Sequence, residues 1–219
     1  KSIQELLDMS PAGSSVFVPG STAEPVELTS FIEAEDSVAN NLHFITSFVP
    51  GINPRNLANK SAKRTMDVFF MQPSYGENLK QGLISFRPIS FLSIQRYLAT
   101  ESTKIDWTVC QVSPPNEQGE CSLGPSAEFL PTVLSRNCRA LAVINPNIPF
   151  VKNSPKVALS RFDAYAHSNL ALPSYSAGTS NDTSEKIAAN IAGLIPNGAT
   201  LQVGLGKIPA LLLSALEDH

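Results

Sequence analysis

Short apolar runs alternate with stretches of helical spacing, separated by loops rich in Gly, Pro, Ser or Asn. Val16–Val18 is followed by PGSTAEP and then by Leu28, Phe31 and Ile32, which share one face of a helix. Met66–Met71 and Leu83–Phe86 read as buried strands, and Ile105–Val112, with Trp107, Val109 and Val112, is the clearest β run. The loop Ser113–Gly124, a helix from Pro125 and the strand Leu141–Ile144, closed by NPNIP, continue the pattern. Strands alternating with helices predict an α/β domain whose largely parallel sheet is flanked by helices. Ligands of such sheets bind in loops at the carboxyl ends of the strands, so the strand-to-helix loops are the places to look for a site.

The final stretch carries the strongest local signals. Asp182 followed by Glu185 resembles a capping box, and Ile187, Ile191, Leu194 and Ile195 fall on one helical face. Pro196-Asn-Gly198 is a stop-and-turn signal. Thr200–Val203 then reads as a strand, and GLGKIP turns into a helix over Ala210–Leu216. Pro209 suits the first helical turn, where a missing N–H costs nothing.

Composition excludes several classes. With 42% hydrophobic residues and a net charge of −3, the chain is not disordered. Sixteen Lys+Arg against 19 Asp+Glu leave no basic footprint for nucleic acid. No apolar run reaches the ~18 residues of a membrane span. Cys110, Cys121 and Cys138 are odd in number and lack C-x-x-C spacing, so a reducing, cytoplasmic setting is expected. His43, in an apolar run, reads as a hydrogen-bonded core residue rather than a ligand, His167 and His219 have no partners at metal spacing, and no metal is expected. The opening Lys1-Ser2, without an initiator Met or an apolar leader, suggests a trimmed chain.

Three loops are candidates. Gly204-Leu-Gly206 lies between strand and helix, where glycines either let backbone N–H groups approach an anion or simply make a tight turn. In Pro19–Pro25, Ser21 or Thr22 reads as a helix N-cap and Glu24 as an acid favouring the positive helix end. Ser113–Gly124 is long for its position, its Cys121 and Leu123 reading as anchors. Glu33, Glu35 and Asp36 read as a solvated helix end, while Asp106 and Asp163 each stand beside a strand. No nucleophile is visible from spacing.

The loops taken together resemble the acetyl-CoA hydrolase/transferase family, which includes 4-hydroxybutyrate, butyryl-CoA:acetate and succinyl-CoA:acetate CoA-transferases. The resemblance runs through GSSVFVPGSTAEP, FVPGIN, DWTVCQVSPPNEQGECSLGPS, INPNIP and GATLQVGLGKIPALLLSAL, in order from Gly13 to Leu216.

That resemblance implies a class I CoA-transferase fold of two related α/β halves, with residues 1–219 forming the N-terminal half of a homo-oligomeric enzyme. It implies that the backbone of Gln202, Val203, Gly204, Leu205 and Gly206 contacts coenzyme A and helps to form an oxyanion hole. Gly20–Thr22 and Ser113–Gly124 would face the same cleft. The family's nucleophilic glutamate falls beyond His219, so no catalytic residue is expected within the chain. Its substrates would be an acyl-CoA and a short-chain carboxylate; acetyl-CoA hydrolysis and non-catalytic CoA binding are the alternatives. Asn116-Glu-Gln-Gly119 departs from the family's Asp-Glu-His/Asp-Gly, removing an acid from that loop.

Overall fold

A computed structural model describes residues 1–217. The chain forms two compact units, Lys1–Ser174 and the segment from Tyr175 onward.

The first unit is built on a seven-stranded sheet. Its strands are β1 (Ser15–Val18), β2 (His43–Thr46), β3 (Thr65–Val68), β4 (Ile84–Phe86), β5 (Trp107–Val112), β7 (Arg139–Ile144) and β9 (Ala164–His167). They run in the order β4-β3-β2-β1-β5-β7-β9, and every pair is parallel. All six residues of β5 are buried, as expected of a strand covered on both faces.

Side chains alternate across the sheet. One face carries Phe44, Met66, Val109 and Leu141 against Leu28 and Ile32 of α2 (Val26–Ala34). The other carries Phe17, Ile45, Cys110 and Ala142 against Ile94 and Leu98 of α4 (Phe91–Ala99) and Leu130 and Val133 of α5 (Leu130–Leu134). The two aspartates beside the strands fix the register. Asp106 accepts from the Ser15 N–H at 2.8 Å, and Asp163 accepts from the Ala140 N–H at 2.9 Å while pairing with Arg139.

Several expected boundaries move. β3 ends at Val68, where the Arg87 N–H makes the last bond to its carbonyl and the next donor in phase, the Ile89 N–H, turns back to the Arg87 carbonyl. The helix expected from Pro125 starts only at Leu130, because Gly124 (φ +75°) and Glu128 (φ +43°) hold the backbone outside the helical region. The long loop contains β6 (Glu120–Ser122), which pairs antiparallel with β8 (Lys156–Ala158). Its anchors Cys121 and Leu123 are buried. Neither Ser21 nor Thr22 caps α2, whose N-cap is Pro25. Glu33 is tied to Arg55 at 3.0 Å and accepts from the Asn56 N–H, so that acid is not simply solvated.

The second unit consists of α6 (Asp182–Ala192) packed on α7 (Lys207–Ala215). The N-cap is Asn181, not Asp182: its backbone is extended and its side chain accepts from the Ser184 N–H. Asp182 instead occupies the first turn, where a negative charge favours the helix. The residues of α6 that are buried are Ser184, Ala188 and Ala192, whereas Ile187 is 38% and Leu194 83% exposed. Thr200–Val203 forms no strand, because an extended segment needs a ladder partner and none pairs with it among the described residues.

Cys110, Cys121 and Cys138 are free and buried. Burial pushes the Cys110 thiol up to about 12, away from the reactive thiolate. All three are expected to resist a disulfide-exchange reagent in the native protein and to react at once in denaturant. A fast native-state reaction at any of them contradicts this packing.

Candidate functional site

Because the sheet is parallel, β1, β2, β3, β5 and β7 all deliver their carboxyl ends to one edge, and polar side chains gather there. Val18 leads into Pro19-Gly20-Ser21-Thr22, Thr46 into Ser47–Asn53, and Ile144 into Asn145. Gly20 and Ser47 lie backbone to backbone: a Cβ at Gly20 would stand 2.1 Å from the Ser47 carbonyl oxygen. Ser21 follows in a strained left-handed conformation, φ +50°.

Asn53 is the hub of this edge and is fully buried. Its Oδ1 accepts from the Ser21 N–H at 2.6 Å and the Val49 N–H at 3.0 Å. Its Nδ2 donates to the Ser21 carbonyl at 2.9 Å and to Glu24 Oε2 at 2.6 Å. Glu24 Oε1 accepts from the Thr29 hydroxyl at 2.6 Å. Gln72 from beyond β3 donates to the Asn53 carbonyl and to the Tyr75 hydroxyl.

From the other side, Gln111 of β5 donates to the Glu24 carbonyl at 3.2 Å. Asn145, after β7, donates to Gln111 Oε1 and to the Leu170 carbonyl, each at 2.8 Å. Buried amides thus join the ends of five strands, where each satisfied group rigidifies the edge and each missing partner is costly. Thr22 Oγ1 and Thr46 Oγ1 remain buried without partners among the described residues.

Two carboxyls share the edge. Burial pushes Glu24 above the ordinary carboxylate range, against the hydrogen bonds from Thr29 and Asn53. Burial does the same to Glu128, whose Oε2 accepts from the Ser47 hydroxyl at 2.7 Å and the Gly20 N–H at 3.2 Å. Glu24 lies at a cavity of about 130 Å³ that Ile52, Arg55 and Leu172 also line. The buried Glu24 carboxyl at this small cavity can bind and orient a polar group; it does not by itself constitute a nucleophilic machine.

The structure brings Gly20–Thr22 and the FVPGIN segment into one constellation. Glu24, read from sequence as a helix-end acid, is instead a buried hydrogen-bonded one. Asn116 shapes its loop from within: its Oδ1 accepts from the Gln118 and Glu120 N–H groups, and its Nδ2 donates to Glu120, a bond an aspartate lacks. Gln202, Val203, Gly204 and Leu205 lie in the second unit as exposed chain outside any helix or strand. Gly206 follows at φ +151° as the N-cap of α7, a conformation suited to glycine. Sequence reading missed Asn53, Gln72, Gln111, Glu128 and Asn145 as site residues. The signal for them was an amide or acid within or beyond the end of a strand, which spacing does not separate from an ordinary loop residue.

The N-terminal domain signature of acetyl-CoA hydrolase/transferase proteins matches residues 1–164. The succinyl-CoA:acetate/propanoyl-CoA:succinate CoA transferase of Fasciola hepatica is 26% identical over 211 residues, 94% of this chain and 44% of that protein. The 4-hydroxybutyrate coenzyme A transferase of Clostridium kluyveri is 26% identical over 140 residues, 64% of this chain and 33% of that protein. The chain therefore spans less than half the length of these curated relatives. The crystal structure of RipA from Yersinia pestis superposes with a TM-score of 0.83 at 22% identity, over 100% of this chain and 53% of that one, which shows the shared fold. With the signature spanning β1 through the start of β9, the chain belongs to the acetyl-CoA hydrolase/transferase family.

Proposed function

We propose that this chain, residues 1–219, is the N-terminal domain of a CoA-transferase moving CoA between a short-chain acyl-CoA and a carboxylate. The observation that carries the reading is the family signature over residues 1–164, together with relatives that are CoA transferases. In this reading the backbone N–H groups of Gln202–Gly206 hold CoA and stabilise the thioester oxygen as charge develops on it. The nucleophile is a glutamate of the longer protein beyond His219, supplied with the C-terminal half.

Its carboxylate attacks the acyl-CoA carbonyl, forming an acyl–glutamyl anhydride and expelling CoA thiolate. The thiolate returns to the glutamyl carbonyl, releasing the acyl group as its carboxylate and leaving a glutamyl–CoA thioester. The acceptor carboxylate then attacks the glutamyl carbonyl, expelling CoA thiolate and forming an acceptor–glutamyl anhydride, and the thiolate attacks the acceptor's carbonyl, forming the new acyl-CoA and releasing the glutamate carboxylate. We place the enzyme in the cytoplasm as a homo-oligomer, working without a metal; three free, buried cysteines support the reducing setting. Among the described residues no helix is long and apolar enough to cross a membrane.

The test uses the full-length protein with acetyl-CoA, butyryl-CoA and 4-hydroxybutyryl-CoA, with and without an acceptor carboxylate. Acyl exchange that requires the acceptor, and a protein mass increased by one CoA less water, are expected. Thioester loss at the same rate without acceptor favours a hydrolase instead. CoA binding with neither reaction makes the protein a non-catalytic CoA-binding domain.

A further inference from the structure

In the first unit Asp67, Asp106, Asp163, Glu33, Glu77 and Glu120 each have an Arg or Lys within 4.0 Å. Glu128, like Glu24, has no ion pair among the described residues, although it is part-buried at the carboxyl edge. The groups that act on it are the Ser47 hydroxyl, just past β2, and the Gly20 N–H, just past β1. The Ser47 hydroxyl oxygen also accepts from the Gly20 N–H at 2.9 Å, so the three groups close a triangle.

Backbone strain stands at both ends of that triangle. Glu128 itself has φ +43°, and Ser21, directly after Gly20, has φ +50°. Neither is a glycine or asparagine, and such a conformation persists only where its surroundings hold it. Asn53 holds Ser21 from one side, through its amide and carbonyl. Glu128 holds Gly20 from the other.

We infer that Glu128 is a positioning residue, whose carboxylate clamps the Gly20–Thr22 turn in the shape it presents to substrate. The reference to substrate rests on the CoA-transferase reading; the clamp itself does not. Ionised, Glu128 is a strong acceptor for both donors; protonated, it is a weaker one. Burial raises the pH at which that change occurs. Acyl-CoA affinity therefore falls as the pH drops through Glu128's titration.

The experiment compares the full-length protein with Glu128→Gln and Glu128→Ala. Glutamine keeps an oxygen for both donors but cannot ionise; alanine removes the clamp. In ¹⁵N-glycine-labelled protein, the Gly20 amide resonance is expected to titrate with a midpoint above the ~4.3 of an ordinary glutamate. In Glu128→Gln it becomes independent of pH. KM for acyl-CoA is expected to rise about tenfold in Glu128→Ala, the size of one lost hydrogen bond to a charge. The rise is smaller in Glu128→Gln, kcat moves little, and both variants lose the acid-side fall in affinity. A Gly20 resonance that ignores both pH and Glu128→Gln overturns the clamp. A titrating Gly20 with unchanged KM in both variants overturns its bearing on substrate. If the wild type exchanges no acyl groups, the CoA-transferase reading fails, while the Gly20 titration still decides whether Glu128 holds the turn.

Discussion

Gly20→Ala is expected to be the most damaging single-methyl change in the chain. The added Cβ meets Ser47 O at 2.1 Å, Ser47 C at 2.7 Å and Phe48 Cα at 3.1 Å. All three are backbone atoms, so no side chain can rotate away, and β1 and β2 must part at their carboxyl ends. Overpacking of this kind costs about 3 kcal/mol, the upper end of its usual range. Moving Gly20 also breaks the bonds to Ser47 and Glu128 and misplaces Ser21 against Asn53. Gly76→Ala is the control: it lies in the helix Gly76–Lys80 with nothing within 4 Å of its Cβ, and should raise stability by about 0.5 kcal/mol. Urea unfolding checks both, with the midpoint falling for Gly20→Ala and rising slightly for Gly76→Ala. A wild-type midpoint for Gly20→Ala would show that the two loops do not meet as described.

Asn53→Asp probes the same edge through charge. The substitution keeps the acceptor for Ser21 and Val49 but sets an oxygen where Nδ2 faces Glu24 Oε2 at 2.6 Å and the Ser21 carbonyl at 2.9 Å. Two carboxylates that close cannot both ionise, so the pair retains a proton and its folded pKa rises further above the unfolded value. Glu24 is already displaced upward by burial. A folded pKa above the unfolded one gives stability that is present at low pH and is lost as pH rises through the folded value. Near neutral pH the loss is expected to be on the order of 3–5 kcal/mol, as for other uncompensated buried charges. Acid restores part of it, because a shared proton replaces one hydrogen bond. Asn53→Ala should lose stability with far less pH dependence. Unfolding free energies measured from acid to neutral pH separate the two, and parallel curves would sink the argument.

The legible part of the fold follows burial. Val16–Val18, Ile105–Val112 and Leu141–Ile144 are apolar because a parallel sheet buries both faces of its inner strands, and each contains or closely matches a strand, whereas Leu83–Phe86, read as buried, holds the edge strand β4 with Ser85 and Phe86 exposed. The illegible part follows pairing. Thr200–Val203 has strand composition but no ladder, whereas Glu120–Ser122 has the composition of a loop and finds a partner in Lys156–Ala158. Glu128 lay in a stretch read as helix, and only its positive φ and its reach to Gly20 reveal it.

The candidate site divides the same way. The loops that carry it were recognisable from their order and residue types, because parallel strands place their ligand loops at one edge. The partners inside it were not. Asn53 and Glu24 are 29 residues apart, Gln111 and Asn145 are 34, and Gly20 and Glu128 are 108.

By itself, the sequence determined the α/β class and the family. Those depend on periodicity, strand-to-helix order and local motifs, all of which lie along the chain. Tertiary structure alone decided that buried amides tie five strand ends together, and that Glu24 and Glu128 sit above their ordinary pKa. Hydrogen-bond partners and desolvation are properties of what the fold places around a group, and no short window of sequence contains both Gly20 and Glu128, or both Gln111 and Asn145.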